Sequence, residues 1–334
     1  MDTGLETKLR DYRLAQRKGA EYLLRHVNFD GSIGHPDKGF SYYRTPWALA
    51  SAGERESALR LCEWIRQHQF GDSGDFVGIS PRPLVDHYLY ANAMLVIGAH
   101  ALQQFDLSYQ GMEYIREFVD PASGAFVNHT DSSGEHADQE DIPFNCGIGL
   151  ACLITGDIDA AEQVAMWLQQ MWSLQPDLPN RLYFVYSAQN QRLVTNFPTK
   201  DAQLYVVEAQ QPRQRFTVGG IAAAFLARLY LARPRAAYLG LAREYQAFSQ
   251  QQTDRQFEVA QVCKTGWGAA LLYQITKQDV YREWALRVGD YFVESQFPDG
   301  HWINNEPLVD QPEIEIVSEF LVYLDVIISG LQAV

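Results

Sequence analysis

Three carboxylates crowd into the stretch HADQEDIPFNC, residues 136–146: Asp138, Glu140 and Asp141. Carboxylates held close together raise one another's pKa, so one of them can keep its proton near neutral pH and act as an acid. They stand directly before an apolar run that begins at Ile142, where Asp141 is equally well placed to cap a helix. Asp86 and His87 form a second pair suited to acid/base work; the plainer reading of Asp86 is a first-turn acid favoured by the helix dipole. Glu315 and Glu319 are four residues apart and so share one face of a helix. Glu319 lies in otherwise apolar sequence, where an unpaired carboxylate is costly. It is expected to face a cavity or to pair with Arg215 or Lys264. Arg215 and Lys264 each stand at the head of an apolar segment and suit a phosphate or carboxylate. Tyr43, Tyr88, Tyr90, Trp267 and Tyr323 offer aromatic faces for a sugar ring or a cation, and each taken singly serves as well in core packing.

These residues share a position in a repeat. Apolar residues recur with a helical period, and Gly, Pro and Asp clusters interrupt them about every fifty residues. Each interval holds an apolar, nearly uncharged helix and then an amphipathic one. The apolar members are 45–53, 84–102, 142–156, 216–232, 265–276 and 315–331. The last lacks an amphipathic partner, and the N-terminal segment LRDYRLAQRKGAEYLLRHV supplies one. A helix apolar on all sides must be surrounded by other helices, whereas an amphipathic one can sit outside. The pattern predicts an all-α (α/α)6 barrel spanning 1–334 as one domain. Six inner helices stand within six outer ones, and the N-terminal helix closes the ring against the C-terminal inner helix. Residues 181–198 alternate and turn at Gln189-Asn190, which predicts an inserted β-hairpin. In such a barrel the loops leading into the inner helices open on one end of a central cavity, and that is where the candidates above cluster.

The turns carry a motif. RVGDYFVESQFPDGHW, 287–302, places Gly289, Tyr291, Gln296, Gly300 and Trp302 on a helix, a turn and an aromatic. Weaker copies hold Gln69, Gly74 and Phe76, and Gly111, Gly124 and Phe126; another runs through KGAEYLLRHVNFDGSIG with Ile33 in the aromatic place. This resembles the QW motif of the squalene/terpene cyclase and protein prenyltransferase superfamily of α-α toroids. The motif is a brace: Gly permits the turn, Gln reaches helix-end backbone and the aromatic packs between repeats. The DQED stretch is similar to the DxDD acid motif of class II terpene cyclases, with Glu in place of the middle Asp and Ile-Pro after it. The resemblance implies that Glu140 is a proton donor tuned by Asp138 and Asp141. It implies cyclisation or isomerisation of a largely hydrophobic, polyprenyl-like molecule by acid catalysis in the cavity, as in natural-product biosynthesis. No cofactor is implied, and Mg enters only with a diphosphate substrate.

Composition narrows the field. The chain has 334 residues and a formal net charge of -14, with no Lys/Arg run, which disfavours nucleic acid and anionic membranes as partners. A small molecule is the expected partner. No apolar stretch reaches membrane-spanning length, and the N-terminal residues lack a secretory core, so a cytoplasmic protein is expected. The four cysteines form no CxxC pair and read as buried thiols. The spacing that a zinc prenyltransferase or a LanC-like cyclase needs is absent, as are GxGxxG, P-loop, HExxH and GxSxG motifs. Two further readings stand beside the cyclase: a carbohydrate-active (α/α)6 enzyme (glycoside hydrolase, lyase or sugar epimerase) with carboxylates or histidines facing across the mouth, and a non-catalytic small-molecule binder.

Overall fold

A computed structural model describes residues 3–34, 42–76, 88–128, 138–303 and 313–332. Within them the inner helices are α2 (Thr45–Ser51), α4 (Tyr88–Ala101), α6 (Ile142–Thr155), α8 (Thr217–Ala232), α10 (Cys263–Thr276) and α12 (Glu313–Gln332). Each packs on the next, and α12 packs on α2, so the ring closes. The outer helices are α1 (Thr3–Arg25), α3 (Arg55–His68), α5 (Phe105–Arg116), α7 (Ile158–Ser173), α9 (Ala236–Gln250) and α11 (Asp279–Ser295). From α3 to α11, each outer helix packs on the inner helix that precedes it in the chain, and α1 packs on α11 and α12.

The division follows from side-chain pattern. Every residue from Phe144 to Cys152 of α6 is buried, as is the whole of α8 from Thr217 to Ala227, so over these stretches neither helix has a face for water. Small residues let such helices meet. A Cβ at Gly220 would lie 2.5 Å from the Lys264 carbonyl oxygen, so only glycine brings α8 this close to the head of α10.

The last turn motif closes the ring. Gln296 donates from Nε2 to the Ala15 carbonyl (2.9 Å) and the Gly300 carbonyl (3.0 Å), tying the end of α11 to α1. Gly300 adopts φ +99°, and any side chain there would strike the Lys18 backbone. Trp302 is buried against Phe320 of α12, and its Nε1 donates to the Phe292 carbonyl at 2.8 Å. Two of the weaker copies are braced from the inner ring instead. The Phe76 and Phe126 amides donate to the Asn92 and Asn145 side chains of α4 and α6, at 3.1 and 2.7 Å.

The expected hairpin is present, with two additions. Strands β3 (Val185–Ser187) and β4 (Arg192–Leu193) form its arms. On the other edge of β3 lies β1 (Gln139–Asp141), antiparallel, with Glu140 opposite Tyr186. The first part of the expected segment, β2 (Arg181–Tyr183), leaves the hairpin and pairs with β5 (Val206–Glu208). Strand β1 is three residues of Gln, Glu and Asp, which carry no strand signal; the edge of the hairpin makes it a strand.

Replacing Trp302 by Ala is expected to cost about 3–5 kcal/mol, because it empties a buried ring site between α1, α11 and α12. Gln296→Ala is expected to cost about 1 kcal/mol through its two hydrogen bonds. Denaturant titration of both variants measures the difference; equal, small losses would show that the motif does not close the ring.

Candidate functional site

The N-terminal parts of four inner helices converge. Arg44 ends the approach to α2 and is 1% exposed. Its Nη1 bonds Glu315 Oε1 and lies 3.1 Å from Glu319 Oε2, and its Nη2 donates to the Tyr90 hydroxyl at 3.2 Å. Lys264, in the first turn of α10, donates from Nζ to Glu319 Oε1. Thr45 and Ser318 hydroxyls meet at 3.0 Å beside them. The Arg44 guanidinium lies 4.9 Å from the Tyr43 ring centre, and Lys264 Nζ lies 5.6 Å from that of Tyr323, which stacks on Trp267 at 4.9 Å. Two cations, two carboxylates and four aromatic rings thus share one buried cluster.

Its electrostatics separate the two glutamates. Burial, opposed by Arg44 and reinforced by the Glu319 carboxylate, pushes Glu315 up to about 8. Burial would raise Glu319 as well, but Arg44 and Lys264 outweigh it and hold that carboxyl down at about 2. Two carboxyls one helical turn apart are thus pushed in opposite directions, Glu315 toward its protonated form and Glu319 toward its ionised one, the kind of divergence from which acid and base roles are built. Among the described residues, two polar atoms of the cluster, Arg44 Nε and Trp267 Nε1, are buried without hydrogen-bond partners. Such groups are rare in native proteins and invite a ligand or water.

Of the sequence candidates, Tyr43, Lys264, Trp267, Glu319 and Tyr323 come together here. Glu319 takes Lys264, one of its two expected partners. Asp86, His87, His136 and the side chain of Tyr88 lie outside the described residues. Arg44 was missed, although YYRTPW puts a cation and two tyrosines at the head of the first inner helix, the place the repeat pattern marks.

The DQED stretch is divided by its own strand geometry, since successive side chains point to opposite faces. Asp141 caps α6, accepting from the Phe144 amide at 2.8 Å. With Gln139, Asn128 and Arg215 it lines a small polar recess, and Arg215 Nη2 is unpaired there. Glu140 and Asp138 use other partners. Ser187 donates to Asp138 at 2.5 Å, and Ser123 donates to Glu140 at 2.5 Å. Glu140 is fully buried and is pushed up to about 7 by burial, which Ser123 opposes and the charge of Asp120 reinforces. The tuning expected from Asp138 and Asp141 comes from burial and Asp120 instead.

No protein-family model matches the chain, and no curated protein does at a significant level. Solved structures do match. A D-mannose isomerase aligns over 98% of both chains with a TM-score of 0.70 and 14% identity. The α-1,6-mannanase GH76A of Salegentibacter aligns over 96% of this chain and 99% of its own, at 0.64 and 10%. The type II terpene cyclase MstE from Scytonema, in complex with geranylgeranyl dihydroxybenzoate, aligns over 98% and 99%, at 0.61 and 10%. The fold is the (α/α)6 toroid. The solved structures named here are enzymes acting on small molecules or glycans. Among the described residues no group of three His, Cys, Asp or Glu side chains is placed to hold a metal ion, and no helix is long and apolar enough to cross a membrane.

A carboxyl whose folded pKa is raised stabilises the native state fully below its unfolded value and loses that contribution as pH rises through the folded one. For Glu140 the window runs from the ordinary glutamate value of 4.5 to about 7. Glu140→Gln, which needs no ionisation, is therefore expected to gain on the wild type by roughly 1–3 kcal/mol between pH 4 and pH 8. Thermal melts across that range test it; a constant difference would mean that Glu140 titrates like an exposed carboxyl.

Proposed function

We propose that the chain is a proton-transfer enzyme acting on a small hydroxylated carbonyl substrate, a sugar isomerase or epimerase, with its site at the Arg44–Glu315–Glu319–Lys264 cluster. The observation that carries this reading is the buried pair of glutamates, one helical turn apart, held against two cations. Glu315 is the acid/base group: in isomerisation its carboxylate takes the proton from the hydroxyl-bearing carbon beside the carbonyl and returns it to the former carbonyl carbon, while the hydroxyl proton passes to the former carbonyl oxygen; in epimerisation the proton returns to the opposite face of the same carbon. Arg44 and Lys264 stabilise the negative charge that builds on the substrate oxygen in between. Glu319 stays ionised and fixes both cations in place. Tyr43, Tyr90, Tyr323 and Trp267 surround the charged groups with aromatic rings that hold the two cations in place. The likeness to a D-mannose isomerase supports this choice within the carbohydrate-active class, and the chemistry needs no resident cofactor.

A second reading rests on Glu140, a buried carboxyl pushed up to about 7. In it the chain is a cyclase that protonates a polyprenyl-like substrate from Glu140, in keeping with the likeness to the terpene cyclase. The two readings separate by mutation. Purified protein is assayed against aldoses and ketoses, an α-1,6-mannoside and geranylgeranyl aromatics. Glu315→Gln is expected to lower sugar turnover by about 10²–10⁴-fold with the fold intact, and Glu140→Gln to leave it within a few-fold. The reverse outcome favours the cyclase.

The pH profile has a definite sign. Glu315 must be ionised to take the proton, so kcat/KM is expected to rise from pH 6 and level off above about 8. A profile that is flat across this range, or falls, would remove Glu315 from the role of base.

A further inference from the structure

The barrel also holds a space away from the charged cluster, larger than the recess at Asp141. It has a volume of about 420 Å³ and is lined by Ile97 of α4, Leu150 and Ile154 of α6 and Leu231 of α8, with Trp47 and Trp267. These α4, α6 and α8 residues belong to the late turns of their helices, whereas the charged cluster is built from N-terminal parts. Trp267 is the shared wall, lining this chamber while it stacks on Tyr323. The chamber is open to solvent, and two of its apolar side chains, Ile154 (37% exposed) and Leu231 (48%), remain exposed.

Among the described residues, one charged side chain lines it. Arg228 of α8 is solvent-accessible, yet surrounding protein lowers its pKa through desolvation, as expected for a cation in a recess rather than on an open surface. Among the described residues no hydrogen bond or ion pair engages its guanidinium. Asp325 is its charged neighbour but lies beyond ion-pair distance and accepts a hydrogen bond from Gln16 at 3.2 Å. An apolar chamber whose described lining carries one unpaired cation is complementary to a molecule with an apolar body and one negative charge. At about 30 Å³ per non-hydrogen atom, the volume share of a water molecule, the chamber has room for roughly a dozen such atoms.

We propose that this chamber is a binding site for a medium-chain aliphatic monocarboxylate, with Arg228 taking the carboxylate and Trp47, Trp267 and the leucine and isoleucine side chains taking the chain. It is a different site from the one assigned to proton transfer, and it stands whether or not that assignment does.

Titration calorimetry of the full chain with decanoate and with decanol tests it. Decanoate is expected to bind once per chain and decanol at least tenfold more weakly. Arg228→Met keeps the bulk and removes the charge. It is expected to weaken decanoate at least tenfold, to leave decanol unchanged and to melt no lower than the wild type, because the guanidinium makes no hydrogen bond. Ile154→Trp, a substitution at an exposed part of the lining, is expected to block both ligands, and Glu315→Gln to affect neither. No decanoate binding at millimolar concentration, equal affinity for acid and alcohol, or binding that survives both Arg228→Met and Ile154→Trp would overturn the proposal.

Discussion

The structure turns on one set of buried charges. Arg44 reaches from the head of α2 to Glu315 and Glu319 of α12, and Lys264 of α10 reaches the same Glu319. Taking four ionisable groups out of water costs several kcal/mol per ion, and their mutual attraction offsets this only in good geometry. A ring of well-packed apolar residues would hold three helices together with less penalty. Retaining the charges therefore points to a role beyond packing, and the polar atoms left without partners in the cluster point the same way. The closed ring is what makes the geometry possible, because α12 and α2 are distant in sequence and become neighbours only when the ring closes through α1 and the Trp302 brace.

The barrel keeps two environments apart. The N-terminal parts of the inner helices carry the charges and hydroxyls. The late turns of α4, α6 and α8 carry leucine and isoleucine around a chamber of about 420 Å³. The stacked pair of Trp267 and Tyr323 stands between them, with Lys264 over one ring and the chamber beside the other. Separation of this kind keeps the dielectric low around the glutamates, which is the condition for Glu315 to hold a proton that an exposed carboxyl would release.

Much of the fold was legible because helical period and side-chain polarity are local properties. Helices apolar on all sides had to be inside, and the last turn motif marked the closing contact. The hairpin was legible in its arms, Val185–Ser187 and Arg192–Leu193, but β1 was not, since pairing of Gln139–Asp141 with β3 is a long-range contact without local signal. The candidate site was half legible. Glu319 announced itself as a carboxylate in an apolar helix, and Lys264 was one of its two expected partners. Acidic density drew attention to DQED, but density says nothing about direction, and a strand sends Glu140 and Asp141 to opposite faces. Arg44 carried only its position before α2, and its importance comes from partners some 270 residues away, with |i−j| of 271 to Glu315.

The central claim is that one glutamate of the α12 pair holds a proton at neutral pH while its neighbour does not. Carboxyl carbon NMR of protein labelled at glutamate, titrated from pH 4 to pH 9, measures this directly. The expected result is a resonance with a midpoint near 8 that vanishes in Glu315→Gln, and another, absent in Glu319→Gln, that stays ionised throughout. A Glu315 resonance that titrates in the ordinary carboxylate range, around 4 to 5, would contradict the assignment.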